Sequence, residues 1–383
     1  MNNGNIAQTE KTKSFPHRDS NIELFRIITM FFIVAHHYVV NSGLTLDDGP
    51  IAANPLSANS IFLLLFGAWG KIGINCFVMI TGYFMCKSNI TLKKFIKLMG
   101  EIIFYQFTIG LIFLLTQYEP FSIKTCAKMF LPISMIETNF TGCYIIFFLF
   151  IPFLNILIKK MSEKQHLLLL ILCGFTYVFF GTIKLMPVTM NYVSWFMVLY
   201  LIASYIRLYP KKLFSKTRLW GILTLVSIIF CVLSVLCCAW LSLKFHKNIW
   251  YFFVTDSNTL LAVFVGVCAF MFFKNINIKY NAFINAVAST TFGILMIHAN
   301  CDAMRRFLWQ DVCRNVKMYE SQLMPLIAIG CVCAVFCVCS LIDWLRIQLI
   351  EKPFMKKVSI CEPKIIMWWH KKEAIIHKKI NLD

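Results

Sequence analysis

The chain is short of charge, and shorter still of acid. Only 14% of its 383 residues are Asp, Glu, Lys or Arg, and 59% are hydrophobic. A soluble domain carries roughly 25% charged residues. With a mean hydropathy of +0.70, the composition excludes a water-soluble fold. The 18 acids are outnumbered by 37 Lys and Arg. Few acids fall within apolar runs: Glu101 lies near the end of one, and Asp343 lies in the last. Ion-coupled carriers usually depend on membrane-embedded carboxylates, so this scarcity weighs against transport. There is no Gly-rich phosphate loop of the Walker type, no G-x-S-x-G elbow and no H-E-x-x-H pair. Nucleotide hydrolysis on a P-loop, serine-hydrolase chemistry and zinc proteolysis lose their usual signatures. None of the sixteen cysteines stands with His in a zinc-like spacing, so no metal is expected. No repeat marks an inverted-repeat transporter. No small-residue cleavage site follows the first apolar run, which is therefore expected to remain as a span.

What is present is a series of long apolar runs. Ten can be placed, near 22–42, 62–86, 98–117, 143–159, 166–185, 193–209, 219–243, 256–273, 283–301 and 325–350. The second holds Gly67, Gly70, Gly73 and Lys71, and its first half could lie at the outer surface. With the N-terminus in the cytoplasm, 27 Lys and Arg fall in inner segments and 9 in outer ones, Lys71 staying unassigned. That is the positive-inside pattern, and it predicts both ends cytoplasmic. The expected fold is all-α, a polytopic transmembrane helix bundle of about ten spans. Residues 1–20 form an N-terminal tail, 21–350 the membrane domain and 351–383 a basic tail with Met367, Trp368 and Trp369. That tail reads as a surface-lying anchor. Much of the +19 charge then faces anionic lipid of a plasma membrane rather than nucleic acid.

Within the first run, His37 follows Arg26 by eleven residues. At ~3.6 residues per turn that is about three turns, so both lie on one face, roughly 16 Å apart. Two ionisable groups on one stripe of a span are costly in lipid and usually face a bundle interior or an aqueous cavity. His36 points about 100° away and reads as an interhelical hydrogen-bonding group. Asp343 is expected to pair with Arg346, three residues on.

Several segments in order resemble the membrane acyltransferase-3 family. Asn21-Ile22-Glu23-Leu24-Phe25-Arg26, ten residues and then His37 is similar to its opening span. The stretch from Gly73 to Phe84, ending Thr81-Gly82-Tyr83-Phe84, resembles its second-span signature. Tyr144 to Asn155, Trp195 to Ile202 followed by Tyr205-Ile206-Arg207, and Ser289 to His298 resemble its fourth, sixth and ninth spans. Two departures stand out. Family members often carry Arg after the second span, where this chain has Lys93, Lys94 and Lys97. Many also carry Trp-Ser-Leu-x-x-Glu near the fourth span, where this chain has Thr141-Gly142-Cys143-Tyr144.

The resemblance implies transfer of an acyl group, commonly acetyl, from cytoplasmic acyl-CoA to a hydroxyl of an envelope or exported polysaccharide. In that reading His37 is the general base, since imidazole titrates near neutral pH. Arg26 contacts the donor's phosphate or pantetheine carbonyl. His298 reaches a depth comparable with His37 and orients the acceptor or stabilises the oxyanion. Lys93, Lys94 and Lys97 form a basic patch that attracts acyl-CoA. The alternative is a secondary transporter or flippase of a glycan or lipid-linked intermediate, because a polar stripe across a bundle also serves passage.

Overall fold

The structure is a computed structural model that describes residues 19–130, 140–183 and 191–363, with 367 and 372. Among these residues the chain is helical and contains no strand. Ten helices are numbered in chain order: α1 Ser20–Val40, α2 Ala58–Met85, α3 Leu92–Leu115, α4 Phe140–Lys160, α5 Glu163–Ile183, α6 Tyr192–Leu208, α7 Thr217–Phe245, α8 Leu260–Asn275, α9 Ala282–His298 and α10 Met324–Pro363. Each apolar run read from the sequence falls on one of them. Seven (α1 to α5, α7 and α10) are long and apolar enough to cross a membrane. The helices α6 and α8 are shorter, and α9 meets the Asp302–Met318 segment at a 95° bend.

The helix starts follow local chemistry. The first N–H groups of a helix lack intrahelical partners, and a short polar side chain just before them can accept their hydrogen bonds. Thr91 Oγ1 accepts from Lys94 N at 3.3 Å to open α3. Ser162 and Gln165 form a reciprocal capping box at α5. Asn191 Oδ1 accepts from Ser194 N at 2.9 Å to open α6.

Polar side chains then tie the helices together, which is how a bundle satisfies them without water. Asn75 of α2 donates to the Ser257 carbonyl at 2.7 Å and accepts from Trp195 Nε1 of α6 at 2.9 Å. Asn155 of α4 donates to the carbonyls of Met85 and Ser88 and accepts from Tyr200 OH at 2.6 Å. Asn315 donates to the Tyr38 carbonyl at 2.7 Å, holding the segment after the bend against α1. Close approaches of Gly67 to Val39, Gly70 to His36 and Gly73 to Ile33 show α1 and α2 running antiparallel. Asn21 bonds to the Phe273 and Lys274 carbonyls, Asn155 to Met85 and Tyr200, and Lys93 to Ser359, which gathers the start of α1 with the ends of α2, α4, α6, α8 and α10 at one lysine-rich face of the bundle.

Near that basic end lies a buried charge network. Arg346 reaches Asp343 at 2.7 Å, Glu351 at 2.9 Å and Glu101 at 3.1 Å. Tyr105 OH donates to Asp343 at 2.8 Å, and Lys97 pairs with Glu351 at 2.6 Å. The expected Asp343–Arg346 pair is therefore one edge of a larger cluster that joins α3 to α10. Close packing with α9 requires Gly293: a Cβ there would sit 2.1 Å from Asp343 Cγ.

Two boundaries differ from the sequence reading. The first half of the second run is the opening of α2, which packs on α1 and joins the rest of the helix across a break at Ala68–Trp69. Helix α10 does not stop at 350 but runs to Pro363, so residues 351–363 of the expected tail are helical. The remaining tail apart from 367 and 372, with Trp368 and Trp369, and residues 1–18 lie outside the described residues.

Candidate active site

The bend after α9 and the close approach of α1 to α2 shape the site. At Gly70 a Cβ would lie 2.1 Å from His36 Cγ. Glycine alone lets the second helix come this near the histidine pair. His36 turns its Nδ1 to the Gly67 carbonyl at 2.6 Å, so it is the interhelical hydrogen-bonding group that its helical position suggested.

His37 faces the other way. Its Nδ1 lies 2.9 Å from Nε2 of His298, and Nδ1 of His298 lies 2.6 Å from the Ile294 carbonyl oxygen. Hydrogen positions follow from what each partner can do. A carbonyl only accepts, so His298 carries its proton on Nδ1. Neutral His298 then offers a lone pair at Nε2, and His37 donates Nδ1–H to it. The Nε2 of His37 keeps a lone pair and has no hydrogen-bond partner among the described residues. His298 itself is 0% exposed, capped edge-on by Trp309 at 6.4 Å.

His37 lines a cavity of about 270 Å³ together with His36, Lys71, Thr141, Tyr192 and Arg305. Lys71 donates to Tyr192 OH at 2.7 Å. Arg305 pairs with Asp302 at 2.9 Å. The cavity thus holds a free imidazole nitrogen beside cationic groups, an arrangement suited to taking a proton while negative charge grows nearby. A larger groove of about 380 Å³ opens between α5, α6 and α8, lined by Leu170, Val178, Val198 and Leu260 among others. It carries no ionisable side chain and faces where lipid would lie.

The other residues singled out from sequence lie elsewhere. Arg26 stays three turns from His37. It pairs with buried Glu23 at 3.4 Å, and its Cζ stands 5.9 Å from the ring centre of Phe77, which also lines the cavity. The lysines do not converge on one point. Lys93 reaches Ser359 Oγ at 2.6 Å, Lys94 reaches Ser88 and the Asn89 carbonyl, and Lys97 is paired with Glu351. Tyr192 and Arg305 line the cavity with His37, and nothing in the sequence marks them as its neighbours. Lys71 was visible as a charge inside an apolar run, but a run of sequence does not show which helix it faces.

The model of an acyltransferase domain matches residues 19–344. The chain belongs to the acyltransferase-3 family. No curated protein and no solved structure matched it. The match spans α1 through about half of α10, so both histidines, the cavity and Glu101, Tyr105 and Asp343 of the charge network fall within it, while Arg346 and Glu351 lie just beyond. Among the described residues no three His, Cys, Asp or Glu side chains come together in a way that could hold a metal ion. The acyltransferase cavity is built from imidazole, amine and hydroxyl groups instead.

Proposed function

We propose that this membrane acyltransferase moves an acetyl or similar acyl group from cytoplasmic acyl-CoA to a hydroxyl of an envelope or exported polysaccharide. The observation that carries the reading is the His298–His37 relay, which leaves one basic nitrogen free in a cavity between helices. An acceptor hydroxyl placed against Nε2 of His37 gives up its proton as its oxygen attacks the thioester carbonyl carbon. His298 accepts from Nδ1–H throughout and favours the imidazolium that forms. Lys71 supplies positive charge where the carbonyl oxygen becomes negative. When the C–S bond breaks, Nε2–H returns the proton to the departing sulfur. The products are an ester and the free CoA thiol, with no net change on the enzyme.

The basic end of the bundle supports a cytoplasmic donor, since lysine-rich loops lie inside. A plasma membrane location follows from an envelope acceptor. The acids a carrier would need, Glu101 and Asp343, are held by Arg346, which favours chemistry over ion coupling. Purified protein given acetyl-CoA should release thiol at a rate that rises when an acceptor glycan is added. Release that ignores every glycan tested, or none at all, would count against the reading.

A further inference from the structure

Two motifs remain without a role: Thr81-Gly82-Tyr83 at the end of α2 and Tyr205-Ile206-Arg207 at the end of α6. The structure joins them. Arg207 Nη1 donates to Tyr83 OH at 2.6 Å, and the guanidinium carbon lies 4.5 Å from the Tyr83 ring centre. Tyr83 in turn packs edge-on against Phe270 of α8 at 5.4 Å. One turn further along α8, four residues on from Phe270, Lys274 stands on the same face of the helix. Its amine donates to the side-chain oxygen of Asn275 at 2.7 Å. Arg207 Nε is buried and has no hydrogen-bond partner.

Neither cation has a carboxylate within ion-pair distance among the described residues, although Arg26, Lys97, Arg306 and Arg346 each do. A single cation in the last turn of a helix is favoured by the helix dipole. Two half-buried cations, one on Tyr83 and one a turn beyond the Phe270 ring that Tyr83 packs on, repel each other, and an anion held between them relieves that cost. We infer that Arg207 and Lys274, arranged around Tyr83, bind the phosphate groups of the CoA donor. This inference rests on the donor assigned above.

The reach agrees. Tyr83 and Lys71 are twelve residues apart on α2, about 18 Å at ~1.5 Å per residue. The pantetheine arm has about thirteen bonds from phosphorus to sulfur. At the ~3.5 Å per three bonds of an extended chain, it spans roughly 15 Å. Phosphates at Arg207 therefore bring the thioester to the level of Lys71 and His37. Arg26, beside Phe77 and partway along that path, is left to meet the arm rather than the phosphates.

The test is binding of CoA and of pantetheine, which lacks the phosphates, to the purified full-length protein. Wild type should bind CoA at least tenfold more tightly than pantetheine. Arg207→Gln and Lys274→Gln should each weaken CoA roughly tenfold or more, as expected for a lost charge-assisted hydrogen bond, and leave pantetheine unchanged. Unchanged pantetheine binding also shows that the variants are folded. Arg218→Gln, an equal charge change on an exposed residue, should keep the wild-type ratio. If wild type binds CoA and both cluster variants keep its CoA-to-pantetheine ratio, the inference fails while the donor stands. If those variants instead lose co-purifying phosphatidylglycerol, counted by mass spectrometry, the cluster holds a lipid phosphate and the inference fails. If wild type binds no CoA, donor and inference fail together.

Discussion

Replacing His298 with Leu removes the acceptor that fixes His37 and little else. His298 is fully buried, so Leu fills most of its space, and Ile294 keeps its place in α9. What is lost is the 2.9 Å bond to His37 Nδ1. Without it the His37 proton can sit on either ring nitrogen, and the imidazolium formed during transfer loses its partner. A hydrogen bond to a charged group contributes about 1.5–3 kcal/mol. At 1.36 kcal/mol per decade, kcat should fall about 10- to 150-fold. The KM for acyl-CoA should hardly change, because His298 lies at the opposite end of the bundle from Arg207. His298→Gln, whose side-chain oxygen can accept from Nδ1–H, should recover part of the loss. The assay is CoA thiol release by purified protein, with acyl-CoA and acceptor varied in turn. A well-folded His298→Leu enzyme with wild-type kcat would refute the relay. A rise in KM with kcat intact would make His298 a binding residue instead.

Four further outcomes are expected. Gly293→Ala should lower the thermal midpoint of the purified protein, since its Cβ would meet Asp343 Cγ at 2.1 Å, an overpacking cost of about 1–3 kcal/mol. Gly330→Ala, with nothing within 4 Å of the added carbon, should leave the midpoint unchanged or raised. Reporter fusions at Lys212 and Val316 should report opposite sides of the membrane, and same-side signals would overturn the orientation. Neutralising Lys93, Lys94 and Lys97 together should raise the apparent KM for acyl-CoA modestly and weaken its salt dependence, because the patch acts by long-range attraction. An unaltered KM would confine these lysines to lipid and to their own-chain partners.

The helices were legible because a span must be a long apolar run and its backbone needs no partner outside itself. Their depth was legible too, since the helical rise places His37 relative to Arg26 and the chain direction places His298. Lateral neighbours were not. His37 and His298 lie 261 residues apart, and the sequence holds no mark that α1 and α9 touch. Asp343 and Arg346 could be paired by their spacing, but Glu101 joins them from another helix. The bend after His298 leaves no mark in the sequence, where the apolar run simply ends. In the sequence Tyr192 is one aromatic among many; in the fold Lys71 donates to it.

Mass spectrometry of envelope glycans tests the central claim most directly, comparing cells that carry the wild-type gene, His37→Ala or no gene. Loss of a general base costs about 10²–10⁴ in rate. The account predicts an acyl ester on the glycan in wild-type cells. It predicts none in the His37→Ala cells, although their membranes contain as much protein. Full acylation by His37→Ala, or glycans that are the same with and without the gene, would contradict it.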